Sequence, residues 1–141
     1  MGNISKNFSY HEFTDSETAD RHGFSNQITT AEVRDSIKAL VDNLLQPLRD
    51  CWGEPLHINS GYRCPRLNAL VNGAPTSQHV KGEAADVKAS SPYELALCAL
   101  AHNLQFDQMI LYPTFVHFSY RKNGPQRLQV LYNKSYRGFR L

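Results

Sequence analysis

The sequence predicts an α+β fold in which a small antiparallel β-sheet packs against helices. Three observations lead there. One long stretch repeats its apolar residues at helical spacing. After it the order reads strand, helix, strand, helix and then several strands. The apolar runs of the second half are short, alternating and bounded by Gly, Pro and Asn. At 141 residues the chain has the length of one domain, and its 41% hydrophobic content suffices for a single core. Residues 1–141 are therefore read as one domain, with 1–30 an ordered N-terminal arm and 122–141 a C-terminal strand and tail.

The arm is polar and turn-rich but carries aromatic anchors at Phe8, Tyr10, Phe13 and Phe24. Thr30 then stands as N-cap of the clearest helix, with Glu32 in its first turn. Val33, Ile37, Leu40, Val41, Leu44, Leu45 and Leu48 give this helix one buried face. Pro47 falls near its end and is expected to kink it, and Gly53 with Pro55 closes the region. Residues 56–59 read as a strand stopped by Ser60-Gly61, and residues 65–71 as a short helix. Another strand is expected at 84–87. Ser91-Pro92-Tyr93-Glu94 opens a helix, with Ser91 as N-cap and Pro92 at the first helical position. The runs 108–112 and 115–120, split by Pro113-Thr114, and a last run at 128–131 complete the sheet.

Composition excludes several classes of function. Fifteen basic against thirteen acidic residues leave a formal charge of +2, too mild to imply nucleic acid. Arg121, Lys122, Arg127, Lys134, Arg137 and Arg140 interleave with Tyr132, Tyr136 and Phe139 in a pattern that suits single strands. A C-terminal strand with a solvated face explains the same letters more simply. No apolar run approaches the roughly 18 residues that span a bilayer. The first residues hold no apolar signal region, and Lys6 stands where a myristoylation signal needs Ser or Thr. Cys51, Cys64 and Cys98 form neither a CxxC pair nor a disulfide framework. The expectation is a protein made in the cytoplasm with its cysteines reduced, a monomer with no membrane and no nucleic-acid partner.

Chemistry concentrates in two places. In Ser77-Gln78-His79-Val80-Lys81-Gly82-Glu83-Ala84-Ala85-Asp86, a loop histidine precedes a carboxylate set in an otherwise apolar strand. A carboxylate there is costly unless paired or bound to a cation. In Phe115-Val116-His117-Phe118-Ser119, alternation puts His117 on one face with Phe115 and Ser119. Two neutral imidazoles and one carboxylate make a three-ligand zinc set with a fourth position for water, whose pKa zinc brings near 7. Each half also has a plainer reading. A lone strand histidine is more often a hydrogen-bonded core residue, and Asp86 alone is equally a turn cap or salt-bridge partner.

Ser77-x-His79, followed at Asp86 by the aspartate, resembles the SxHxxGxAxD motif of the D-alanyl-D-alanine metallopeptidases. That family includes D,D-dipeptidases and phage endolysins and shares the hedgehog/DD-peptidase fold. The segment from Asn59-Ser60-Gly61-Tyr62-Arg63 to Leu67-Asn68 is similar to its SGYR-x-P-x-LN stretch. Phe106-Asp107-Gln108-Met109-Ile110 with Val116-His117-Phe118-Ser119 resembles its closing strand pair. The likeness spans roughly residues 6–121 and marks a small single-domain member.

The resemblance implies zinc, one ion per chain, held by His79, Asp86 and His117. It also implies that Arg63 holds a substrate carboxylate or polarises the scissile carbonyl, which suits a planar, permanently charged fork. Ser77 and Gln78 become substrate-binding candidates. The implied function is a zinc peptidase acting on peptidoglycan stem peptides or related D-amino-acid peptides, of D,D-carboxypeptidase or endolysin type. Its place of action is the cell wall after release. The alternative is a zinc-containing module that binds cell-wall peptides with little or no turnover.

One departure motivates that alternative. Family members place an acidic residue a few positions before the last histidine, as general base. Residues 111–116 read Leu-Tyr-Pro-Thr-Phe-Val, without one. The substitutes are Asp107, Glu83 and Tyr112. Glu83 is expected on the face opposite Asp86, Asp107 equally fits a structural hydrogen bond at the sheet edge, and Tyr112 is a proton donor rather than a base.

Overall fold

The computed structural model describes residues 2–141. Its elements are helices α1 (Tyr10–Thr14), α2 (Glu17–Arg21), α3 (Ala31–Leu40), α4 (Gln46–Trp52), α5 (Pro65–Leu70) and α6 (Pro92–Ala101). The strands are β1 (Ile58–Ser60), β2 (Ala84–Lys88), β3 (Gln108–Leu111), β4 (Phe115–Ser119) and β5 (Gln129–Tyr132). They form one sheet in the order β1-β2-β4-β3-β5. The α+β class read from the sequence is the observed one.

The long helical stretch is one rod with a defect. Thr30 caps α3 by accepting from the Val33 amide at 3.2 Å. Between α3 and α4 the turn Val41–Leu45 widens to π-helix directly before Pro47. A prolyl ring inside an α-helix clashes with the carbonyl four residues back and offers that carbonyl no donor. A widened turn relieves both conflicts, so the expected kink appears as an inserted π-turn rather than a break. The rod ends at Gly53, whose φ of 81° is the left-handed cap that favours glycine.

Along the rod Ile37, Leu40, Val41, Leu44, Leu45 and Leu48 are buried in one cluster with Ala85 and Val87 of β2 and Val116 and Phe118 of β4. Met109 and Leu111 of β3 and Leu95, Ala96 and Ala99 of α6 belong to the same cluster. Truncating Leu40, Leu44 or Leu48, each fully buried, costs about 2–5 kcal/mol. Because strand side chains alternate, this leaves Asp86, His117, Gln108 and Ile110 on the opposite face of the sheet. The helices claim one face and the polar residues hold the other.

The arm contains α1 and α2. One feature differs from the expectation: the sheet is not wholly antiparallel, for β5 pairs with β3 in parallel, Gln108 opposite Gln129 and Leu111 opposite Tyr132. The chain leaves β4 beside the start of β3, passes that end of β3, and enters β5 from the same end. Asp107 anchors the passage, its carbonyl accepting from the Gln129 amide at 3.1 Å and its carboxylate from the Arg127 amide at 3.0 Å. Among the described residues no helix is long and apolar enough to cross a membrane.

Candidate metal centre and its cavity

Strand pairing creates the centre. β2 and β4 align antiparallel with Asp86 directly opposite His117, while His79 arrives from the turn before β2. His79 Nε2 lies 3.3 Å from Asp86 Oδ1, and His117 Nδ1 lies 3.0 Å from the same oxygen. One donor atom from each residue falls within 4.8 Å of the others. The imidazole rings meet edge to face, centroids 5.0 Å apart. His79 and Asp86 are buried, and His117 is partly exposed.

The surroundings fix the histidine that matters most. His79 Nδ1 donates to the Gly61 carbonyl at 2.7 Å, which turns Nε2 toward Asp86 as the nitrogen available to an ion. The His79 amide donates to Ser77 Oγ at 3.2 Å, and its carbonyl accepts from the Arg63 amide at 3.1 Å. Burial alone would raise the Asp86 carboxyl. The imidazoles of His117 and His79 outweigh it and hold that carboxyl well below the usual range. An ionised carboxylate, a tautomer-fixed imidazole and a second, more accessible imidazole are a donor set that fits zinc with an open fourth position.

Around these residues lies a cavity of about 350 Å³ whose walls include Arg63, Ser77, Gln78, Gln108, Ile110, Tyr112 and Arg127. Arg63 reaches Asp86 loosely at 3.9 Å and is steadied by Asn68 Oδ1 at 3.2 Å and Ser60 Oγ at 3.4 Å. Burial lowers its pKa against the opposing charge of Asp86, yet a guanidinium keeps its proton at neutral pH. Tyr112 stacks on Phe115 with centroids 4.2 Å apart. Burial, aided by the Asp86 charge, pushes its phenol up, so Tyr112 is a proton donor at neutral pH.

Two substitute bases proposed from the sequence stand elsewhere. Glu83 lines a different cavity, beside Lys81 and Arg121, and is engaged by Gln78 Nε2 at 3.3 Å. The strand alternation that pointed it away from Asp86 is the reason. Asp107 is fully buried with both oxygens occupied: Arg127 donates from Nε at 3.0 Å and Nη2 at 2.7 Å, and Gln78 from Nε2 at 3.0 Å. The Arg127 hydrogen bonds hold its carboxyl below the usual range. Asp107 is thus a structural anion just before the start of β3. Gln78, expected to touch substrate, spends its amide on these two carboxylates. Among the described residues Asp86 is the only acid in the cavity wall.

With this geometry in hand, the comparison with known sequences is direct. A family model for peptidase M15 matches residues 6–119. The chain belongs to the peptidase M15 family. A curated relative, the zinc D-Ala-D-Ala carboxypeptidase of Streptomyces albus G, is 37% identical over 67 residues, which is 47% of this chain and 26% of that protein. This M15 chain therefore spans about a quarter of the length of that relative.

Some M15 site residues escaped the sequence reading. Gly61 supplies the carbonyl that orients His79, and its lack of a side chain lets Phe13 of α1 pack on it. A Cβ there would lie 2.7 Å from Phe13 Cα. Asn26, buried in the arm, donates to the Thr14 and Tyr62 carbonyls and accepts from the Cys64 amide at 2.7 Å. The arm is thus part of the scaffold that aims Arg63. Arg127 was set among the tail's basic residues, and only the buried Asp107 across from it reveals its place. Of the tail's other cations, Arg140 lies over the Tyr132 ring at 4.5 Å.

Proposed function

We propose that the chain is a zinc-dependent peptidase that hydrolyses peptidoglycan stem peptides or related D-amino-acid-containing peptides, as a D,D-carboxypeptidase or in the manner of an endolysin. One observation carries the reading: two imidazoles and a carboxylate converge within one cavity beside a fixed guanidinium and a phenol. Membership of the M15 family and the name of its Streptomyces relative support it. One zinc ion held in this cavity would supply Lewis acidity and an acidified water.

The chain's own residues do the rest. His79, Asp86 and His117 are the zinc ligands, and Gly61 holds the first of them in its working tautomer. Arg63 pairs with the substrate's carboxylate, or with its carbonyl as charge develops, and cannot lose its proton in doing so. Tyr112 donates a hydrogen bond to the same developing charge. Ser77 keeps the loop amide of His79 in place.

A second reading is favoured by the absence of any acid but Asp86 from the described cavity wall. A missing general base typically costs about 10²–10⁴-fold in rate. A module that binds cell-wall peptides with little turnover would have this wall. Mass spectrometry of peptidoglycan fragments incubated with zinc-loaded protein separates the two. New fragments that vanish with His117→Ala establish hydrolysis and name the bond. Intact fragments beside a zinc tightly held in this cavity, and lost in His117→Ala, establish the binding module.

A further inference from the structure

A second cluster of metal-binding side chains lies apart from the cavity, where the ends of two helices meet. Cys98 and His102 stand four residues apart at the C-terminal end of α6, so they share a face of the helix. Helix α4 packs against α6 and brings Cys51, in its last turn, onto that face. Cys51 Sγ lies 3.3 Å from Cys98 Sγ, and Cys98 Sγ lies 3.8 Å from His102 Nδ1. All three donor atoms fall within 4.8 Å of one another. The geometry points to a second metal site, formed by Cys51, Cys98 and His102, that takes a soft or borderline divalent cation such as zinc, cadmium or cobalt.

The distances suit that ion. With metal–sulfur bonds of about 2.3 Å and metal–nitrogen bonds of about 2.0 Å, tetrahedral ligand atoms stand roughly 3.5–3.8 Å apart. The observed sulfur–sulfur separation of 3.3 Å is shorter than its ideal of about 3.8 Å and the sulfur–nitrogen separation of 3.8 Å longer than its ideal of about 3.5 Å, so side-chain shifts of about half an ångström close these two edges of the site. The metal-free partners are local backbone carbonyls. Cys51 Sγ donates to the Leu48 carbonyl at 3.4 Å and His102 Nδ1 to the Cys98 carbonyl at 2.9 Å. His102 is exposed, so moving its proton to Nε2 leaves that nitrogen hydrated and frees Nδ1 as a ligand.

Charge argues the same way. Both helix C-termini present carbonyl dipoles that disfavour bare thiolates and favour a cation. Binding replaces the two thiol protons, which pass to solvent, and forms two metal–sulfur bonds and one metal–nitrogen bond. The partly exposed setting leaves the fourth position to water. Two thiolates and an imidazole select softer ions than the nitrogen–oxygen set of the cavity does, so the sites differ in preference as well as place. A bound ion clamps the end of α4 to the end of α6.

Cobalt titration of the metal-free full chain, anaerobic and with a non-thiol reductant, tests this. The expected result is a thiolate-to-cobalt charge-transfer band in the near ultraviolet that added zinc bleaches. The band persists in His79→Ala and in Cys64→Ser. It disappears in Cys51→Ser and Cys98→Ser, and His102→Ala weakens cobalt affinity at least as much as the ~10–100-fold cost of losing an outer partner. Far-ultraviolet circular dichroism confirms that each variant is folded. Lack of the band in wild type overturns the proposal, whatever the variants do. So does a band that survives unchanged in folded Cys98→Ser.

Discussion

Replacing Gly61 by Ala tests the link between the arm and the metal centre. The new methyl would sit 2.7 Å from Phe13 Cα, 2.9 Å from Phe13 O and 3.0 Å from Phe13 Cβ. Reaching ordinary carbon–carbon contact near 3.5 Å requires the two segments to part by roughly 0.8 Å. The Tyr62 amide donates to the same Phe13 carbonyl at 2.8 Å, so they cannot part freely. Overpacking of this kind costs about 1–3 kcal/mol, offset by about 0.4–1 kcal/mol because alanine restricts the unfolded chain. The metal-free variant should therefore melt lower, by a few degrees up to on the order of 10 °C.

The same displacement moves the carbonyl that holds His79 Nδ1, and loss of such a partner costs roughly 10–100-fold in metal affinity. At fixed excess zinc that removes a further ~1.4–2.7 kcal/mol of stabilisation. The melting gap between variant and wild type should thus widen on adding zinc. Calorimetry with and without zinc, joined to a chelator competition, reads both quantities. Wild-type zinc affinity in a destabilised Gly61→Ala would refute the coupling, and an unchanged metal-free melt would refute the packing argument.

Further tests follow from the cavity and from the buried carboxylate of Asp107. His79→Ala, Asp86→Ala and His117→Ala should each abolish tight zinc binding at the cavity, measured by elemental analysis after dialysis, with Cys51→Ser keeping that site intact. Tyr112→Phe should lower kcat by up to ~10²–10³-fold, the usual cost of an oxyanion donor, while Glu83→Gln stays within about twofold. A carboxyl whose folded pKa is depressed contributes stability that is present above its unfolded pKa, about 3.9, and lost as pH falls towards the folded value. Asp107 is such a group. Wild-type protein should accordingly lose more stability between pH 5 and about pH 2 than Asp107→Asn does, in denaturant melts at each pH.

What the sequence disclosed follows physical lines. Local signals were legible because one residue carries each: Thr30 and Ser91 as caps, Gly53 as terminator and the alternation that sorts Asp86 from Val87. The three candidate ligands were legible as a group because an aspartate among Ala84, Ala85 and Val87 is anomalous and the family motif names its companions, and the fold brings their donor atoms within 4.8 Å. Partners brought together only by the fold were not legible. Nothing near Asp107 in the chain announces Arg127, and nothing near Phe13 announces Gly61. The π-turn before Pro47 and the parallel pairing of β5 escaped for a related reason. Both are ways of settling a conflict between elements, and the conflict exists only once the elements are packed.

The pairing across the sheet has a consequence for how this chain can vary. Ser60, Asp86, His117 and Ile110 form one row across four strands. Inserting a single residue within β2 or β4 ahead of its ligand would turn that ligand towards the helices. Inserting two would restore the face but move the ligand along the strand by about 6.6 Å, beyond the reach of a shared ion. On the proposed zinc reading the lengths of these two strands would be fixed by the ion as much as by the core, while the loops outside them would remain free to grow. Zinc uptake during refolding would accordingly report the moment at which two distant stretches of chain have found their proper alignment.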